Sequence, residues 1–421
     1  MRPSSARRTA AAAAAAVITF ASIAQTAPLA TDLTPLANDT LQLVKQRLAE
    51  SATDTWVAGT QLEALLELDY PTLSVFSDAD YPPPTTPVPT EVDSVVSKWA
   101  AKRPSWTKEL AYENNGAAAD PAALGVGWLV AAAAEGAAGD SSTQSTYMSQ
   151  VQQQVNYLLN SVPRTSDGAI SHRPSSEAVQ LWADFMYMVP PLLAYYGVAT
   201  SNADLVREAY TQCRLYRQYL KGSTGAWKHI VLGDWQDNGL WNTGNGWAAA
   251  GMTRVYATIV NSEFNSTFAD EAANLVEWTN EILTAAFYNL KSDGLLPNYY
   301  DSASGSSFSD GSGSALLAAT AYRLAQLNST AVPRNTMQHA ATIRAAVNSK
   351  VSTSTGWLAP VVNPLSFKDQ SSTSPEGEAF VLLLHSAWRD YLAASSPASL
   401  TAKLEPALQS LIAILRSGSS A

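Results

Sequence analysis

Residues 181–197 read Leu181-Trp182-Ala183-Asp184-Phe185-Met186-Tyr187-Met188-Val189-Pro190-Pro191-Leu192-Leu193-Ala194-Tyr195-Tyr196-Gly197, and Asp184 is their only charged residue. A stretch this apolar belongs inside the protein, because each large apolar side chain left in water forgoes roughly 1.5–3 kcal/mol. Burial disfavours the charged form of a carboxylate with no cation beside it. The Asp184 pKa is therefore expected to rise toward neutrality, where a carboxyl group can donate a proton at working pH. A second reading makes Asp184 the N-cap of a short helical turn ending at Pro190, with backbone N–H groups lowering its pKa instead.

Outward from this stretch the pattern is helical nearly throughout. Apolar residues recur at Val151, Val155, Leu158 and Leu159, and at Phe380, Leu383, Leu384, Ala387, Trp388 and Tyr391, the spacing of one helix face. Further helices are expected near 32–49, 56–77, 92–101, 120–136, 176–197, 202–220, 246–261, 267–289, 313–327, 334–350 and 398–416, with almost no strand-type alternation. Ser374-Pro375-Glu376 reads as a cap followed by proline at the first helical position, and Ser201 with Asp204 resembles a capping box. About a dozen helices at roughly 30 residues per helix plus loop suit antiparallel helical hairpins. Helices rich in Ala and Leu on more than one side need cover on both sides, which an inner ring wrapped by an outer ring provides. Long polar loops at 164–176, 222–245, 291–312 and 352–375, gathered at one end, would form a cleft.

Residues 1–24 have the form of a secretory signal: Arg2, Arg7 and Arg8 precede an apolar run from Ala10 to Ala21, too short to span a membrane. The remainder, 25–421, is expected to be a single secreted, extracellular, monomeric domain. The proline-rich segment 81–89 is taken as surface chain within it, since too few residues precede it to make a core. Losing the three signal arginines and no acid moves the net charge from −10 to −13, which argues against nucleic acid as a partner. Sequons at Asn38, Asn265 and Asn328 agree with export. One cysteine, Cys213, excludes an internal disulfide framework, and four histidines without metal-ligand spacing point to no metal or other cofactor.

The chemistry-bearing residues cluster. Asp167-Gly168 leads to His172-Arg173; Lys228-His229 and Asp234-Trp235 follow; then comes Gly239-Leu240-Trp241-Asn242-Thr243-Gly244-Asn245-Gly246-Trp247. Indole faces stack on sugar rings, amides exchange hydrogen bonds with hydroxyls, and glycines admit a ligand close to the backbone. The same run also reads as a glycine-rich loop with tryptophans packed in the core.

Taken in order, Asp-Gly…His, Leu181-Trp182-Ala183-Asp184 with its Pro-Pro-Leu-Leu-Ala-Tyr-Tyr-Gly continuation, His229, Gly244-Asn245-Gly246-Trp247, Ser309-Asp310-Gly311-Ser312-Gly313-Ser314-Ala315 and Ser374-Pro375-Glu376-Gly377-Glu378-Ala379-Phe380 resemble family 105 of the glycoside hydrolases, the unsaturated rhamnogalacturonyl hydrolases, and most of all its secreted fungal members. The resemblance spans roughly residues 110–392. It implies an all-α (α/α)6 barrel, a six-hairpin glycosidase toroid. It also implies removal of a 4,5-unsaturated uronic acid from the non-reducing end of pectin-derived oligosaccharides. In that reaction an acid protonates the enol-ether double bond at C4, water adds at C5, and the resulting hemiketal opens and expels the neighbouring sugar. By motif position Asp184 takes the general acid's role. His172, Trp182, His229, Asn245 and Trp247 are expected to contact substrate, with Trp247 stacked on the ring. Asp120 matches a second carboxylate, and its alternative reading is a cap ahead of Pro121.

One position departs from the family pattern: Thr243 stands where an arginine is usual, and threonine cannot replace a fork of donors. Arg173 or Lys228 could supply that charge. Two other functions stay open. One is an exo-glycosidase using Asp184 with Asp120 or Asp310 as paired carboxylates; the other is a secreted sugar-binding protein without catalysis. Glu376 and Glu378 either cap a helix or border the cleft, and capping is the favoured reading.

Overall fold

Alternate helices of this chain differ in how they are buried. The computed structural model describes residues 34–77, 89–113, 115–174, 178–302 and 306–396, so the expected signal, the proline-rich segment and the helix expected at 398–416 lie wholly or mostly outside the described residues. Twelve α-helices occur among the described residues: α1 (Asn38–Ser51), α2 (Thr55–Asp69), α3 (Thr90–Lys102), α4 (Gly125–Ala138), α5 (Ser141–Asn160), α6 (Phe185–Ala199), α7 (Ala203–Leu220), α8 (Asn242–Val260), α9 (Ala269–Phe287), α10 (Gly311–Leu327), α11 (Arg334–Lys350) and α12 (Pro375–Ala394). Helix α8 is buried from Asn242 to Ile259 and α6 from Phe185 to Val198. Helix α7 instead buries one face, through Leu205, Val206, Ala209, Gln212, Cys213, Tyr216 and Leu220.

The even-numbered helices pack on one another in sequence, α2 on α4, then α6, α8, α10 and α12, and α12 packs back on α2. The odd-numbered helices lie outside them, each covering an inner neighbour. The result is the expected (α/α)6 barrel. Covering the inner helices on both sides is what their all-round apolar composition requires.

Helix α6 runs through Pro190 and Pro191 rather than ending there. Pro190 lacks the N–H that would bond the carbonyl of Met186. Gly251 of α8 lies against that carbonyl, and a methyl group at this position would overlap it. At the barrel end formed by the inner helices' C-terminal halves, a buried ion cluster ties four of them together. Arg254 of α8 pairs with Glu63 and Glu67 of α2, and Arg323 of α10 pairs with Glu67 at 2.7 Å and with Asp390 of α12 at 2.7 Å.

Several expected boundaries move. The helix placed at 176–197 begins at Phe185, because Gln180–Trp182 forms strand β1, paired antiparallel with β2 (Ile230–Leu232). Two more short pairs follow, β3 (Leu296–Pro297) with β4 (Ser309–Asp310) and β5 (Val361–Asn363) with β6 (Ser366–Ser371). These pieces of sheet are too short to leave an alternating pattern in the sequence. Residues Asp120–Leu124 form a 3-10 turn ahead of α4. The cap of α7 is Asn202, whose side chain accepts from the N–H groups of Asp204 and Leu205. Ser201 instead bonds Glu263. Ser374 caps α12 as expected, accepting from Gly377.

Candidate active site

The long connections run from an outer helix to the start of the next inner helix. They therefore gather where the inner helices present their N-termini, the positive end of the helix dipole. A cavity enclosing about 780 Å³ of space opens there, lined by Trp56, Asn115, Ala117, Asp120, His172, Arg173, Trp182, Asp184, Met188, Trp241, Pro364, Leu365, Phe367 and Glu376. Asp120, Asp184, Trp241 and Glu376 each stand within two residues of an inner helix or of the 3-10 turn leading into one. Trp56 is in the first turn of another.

Backbone pairing sets the central group. Trp182 pairs with Ile230 in the β1–β2 register, and the N–H of Ala183 donates to the carbonyl of His229 at 2.8 Å. That register puts the His229 ring beside Asp184, with Nε2 3.4 Å from Oδ2. This is ion-pair distance, yet neither atom has an aligned hydrogen bond to another protein group. The chain after β2 turns back so that Ile230 and Asp237 exchange backbone hydrogen bonds. Asp237 Oδ2 consequently lies 3.0 Å from His229 Nδ1 and also accepts from the Tyr299 hydroxyl.

The Asp184 side chain is 14% exposed. It stands at the N-cap position of α6 with helical backbone angles and makes no capping hydrogen bond, so the capping reading fails. Its surroundings are also less bare than the local sequence implied, since the fully buried His229 joins it to a second carboxylate. Burial alone would lower the His229 pKa. The charges of Asp184 and Asp237 and the hydrogen bond to Asp237 outweigh it and hold the imidazole above its ordinary value. Burial would raise Asp237, but the bonds from His229 and Tyr299 prevail and bring it down to about 2. The Asp184 carboxyl thus faces one imidazole nitrogen at ion-pair distance, and the other nitrogen is fixed by the Asp237 carboxylate.

Asp120 arrives by a different route. The N–H groups of Ala118 and Ala119 donate to the carbonyl of His172, whose own N–H donates to the carbonyl of Gln180, the first residue of β1. Asp120 Oδ1 lies 3.4 Å from His172 Nε2, and Asn115 Nδ2 donates to Oδ2 at 3.5 Å. Asp120 is the first residue of the 3-10 turn, whose N-cap position is held by Ala119. Burial, then the charges of Glu113 and Asp184, push its pKa up to about 8. His172 is buried, stacks on Trp182 with ring centroids 5.0 Å apart, and is lowered to about 4 by burial, so it is neutral.

Trp56, Trp182 and Trp241 supply the indoles of the cavity. Three expected contacts do not line it: His229 has no exposed surface and lies behind Asp184, and Trp247 and Asn245 are turned elsewhere. Trp247 is fully buried between Tyr187 and Phe380, at centroid distances of 4.6 and 4.7 Å, as a core residue. Asn245 spends its amide on the backbone, accepting from Trp227 N–H and donating to the carbonyls of Trp227 and Trp241. It shapes the loop that carries His229 rather than facing a ligand. Asp310 is also excluded as a paired carboxylate: it is buried as the cap of α10, accepting from Ser312, Gly313, Asn242, Thr243 and Val362.

Glu376, read as a capping residue, lines the cavity. Its Oε2 accepts from Trp56 Nε1 at 3.3 Å, its Oε1 has no partner, and burial followed by the charge of Asp184 raises it to about 8. Its place in the first turn of an inner helix, like that of Asp184 just before another, was the available signal. Asp237 and Phe367 carried none, because each reaches the site through a reversal of the chain. Among the described residues no group of three or more His, Cys, Asp or Glu side chains is placed to share a metal ion.

A family model described as Glycosyl Hydrolase Family 88 matches residues 140–356, slightly over half of the chain. No curated protein matches. Among solved structures, a possible member of the GH105 family from Salmonella enterica serovar Paratyphi A superposes with a TM-score of 0.66 at 18% identity, covering 86% of this chain and 97% of that one. A possible GH105 member from Klebsiella pneumoniae gives 0.63 at 17% identity, covering 86% and 100%. The unsaturated glucuronyl hydrolase of Bacillus sp. GL1, responsible for the degradation of glycosaminoglycan, gives 0.58 at 14% identity, covering 86% and 96%.

Proposed function

Since the chain belongs to glycosyl hydrolase family 88 and is a glycoside hydrolase, we propose that it removes a 4,5-unsaturated uronic acid from the non-reducing end of an oligosaccharide by hydrating the double bond. The observation that carries this reading is the Asp184–His229–Asp237 line at the wall of an aromatic-lined cavity. Vinyl-ether hydration needs one group that gives a proton to carbon and takes one from water. A carboxyl facing a buried imidazole that a second carboxylate orients has a partner for both steps.

Asp184 gives its proton to C4, and positive charge develops at C5 and the ring oxygen. Water adds to C5 and surrenders its proton to the Asp184–His229 pair, which restores the starting state. The hemiketal then opens and releases the neighbouring sugar. Asp237 keeps Nε2 of His229 turned toward Asp184 by accepting from Nδ1. Asp120 and Glu376, uncharged at neutral pH, offer hydrogen bonds to the sugar without repelling its carboxylate.

The Bacillus sp. GL1 neighbour is an unsaturated glucuronyl hydrolase, which supports an unsaturated uronide as the substrate class here, and the motif resemblance supports an end cut from pectin rhamnogalacturonan. We propose that the protein acts outside the cell as a monomer. Asn38 and Asn265 are exposed, as glycosylation on export would need. The test follows loss of the conjugated-acid absorbance with lyase-generated galacturonyl- and glucuronyl-ended oligosaccharides. Asp184→Asn should abolish turnover and leave the melting temperature within a few degrees. Turnover within a few fold of wild type would sink the assignment, as would release of sugar from saturated glycosides alone.

A further inference from the structure

The cavity borders a second one of about 570 Å³, lined by Gly116, Arg173, Pro174, Gln180, Gly233, Asp234 and Trp235. Arg173 lines both, and among the described residues it is the one lysine or arginine that lines either. The other cationic candidates are unavailable to a bound anion. His172 is neutral, and His229 has no exposed surface and is engaged between Asp184 and Asp237. Thr243 is fully buried, with its hydroxyl donating to Asp310, and Lys228 lines neither cavity.

We propose that Arg173 is the residue that binds the carboxylate of the unsaturated uronic acid. This rests on the function proposed above, which requires an anionic sugar in a cavity bearing three carboxyl groups. The guanidinium is held in place before any ligand arrives. Its Cζ lies 5.6 Å from the Trp182 ring centroid, and its Nη2 donates to the carbonyl of Asn115. The residue follows His172, whose stacking on Trp182 and backbone bonds to Gln180, Ala118 and Ala119 anchor the loop. A planar fork fixed by its neighbours presents two parallel donors to a carboxylate at little further entropic cost.

The test compares the unsaturated disaccharide as free acid and as its methyl ester, with wild type, Arg173→Gln and Arg173→Lys. Wild type should favour the acid. Arg173→Gln should raise KM for the acid by roughly tenfold to a hundredfold, the range of a lost charged hydrogen bond. Its kcat should stay within a few fold and KM for the ester should not move. Arg173→Lys keeps the charge without the fork and should raise KM for the acid several-fold and leave the ester alone; it carries the test if the glutamine variant does not fold. Folded variants that retain the wild-type acid-over-ester preference overturn the assignment. So does a wild type that consumes both compounds equally, which leaves the hydration reading standing. A wild type that consumes neither brings down that reading and this proposal together.

Discussion

Replacing Asp120 with asparagine should make the protein more stable, by an amount that depends on pH. In the folded state the carboxyl is buried beside the charges of Glu113 and Asp184 and titrates at about 8, against an ordinary value of 3.8. Between those two values the native state holds a proton that the unfolded chain has released. Stability therefore falls as pH rises through that window, at about 1.4 kcal/mol per unit. At pH 7 the accumulated cost is on the order of 4 kcal/mol, an upper figure since the cavity can relax and water can reach it. Asparagine is neutral at every pH and keeps an oxygen for Asn115, so the variant escapes the cost. The gain should be absent below pH 4, grow with pH and level off above pH 8. Thermal melts of both proteins from pH 4 to pH 9 read this directly. Turnover should fall by roughly a hundredfold, because the same group faces the substrate. A melting-temperature difference that stays constant across the range, or a variant less stable at pH 7, would refute the reasoning.

Asp237→Asn removes one of the two carboxylates that hold the His229 pKa up. The imidazolium should then deprotonate at lower pH, drawing the alkaline limb of the kcat/KM profile down with it. An unmoved limb with reduced activity would mean that Asp237 serves only to hold the loop. At the opposite end of the barrel, Glu67→Gln leaves Arg254 with Glu63 and Arg323 with Asp390 as their remaining carboxylates, at a cost of roughly 1–3 kcal/mol. A lower melting temperature with unchanged KM in the surviving native enzyme is expected. Wild-type stability would show the cluster to be dispensable.

Local chemistry settled much of this protein before any coordinates. Apolar residues all around 185–198 can be satisfied only inside a second layer of helices, so composition called for an inner ring wrapped by an outer one, while the six-hairpin barrel was what the motif resemblance implied. The same logic set Asp184 apart as a lone carboxylate among apolar neighbours, and the fold leaves it 14% exposed at the cavity wall. What surrounds a buried carboxylate, however, is decided by chain segments dozens of residues away. The β1–β2 register brings His229 and, by a reversal, Asp237 up behind Asp184, replacing an acid isolated by apolar walls with one set against an imidazole. Trp247 and Trp241 carry the same indole six residues apart on either side of a helix start. Only the rotation of α8 against α6 and α12 sends the first into the core and leaves the second facing the cavity. Glu376 likewise could not be told from a capping residue until the ring closed and placed it in the cavity wall with Asp120. Composition and spacing determine which faces must be hidden; what each hidden group meets depends on contacts between segments distant in sequence, and those exist only once the ring has closed.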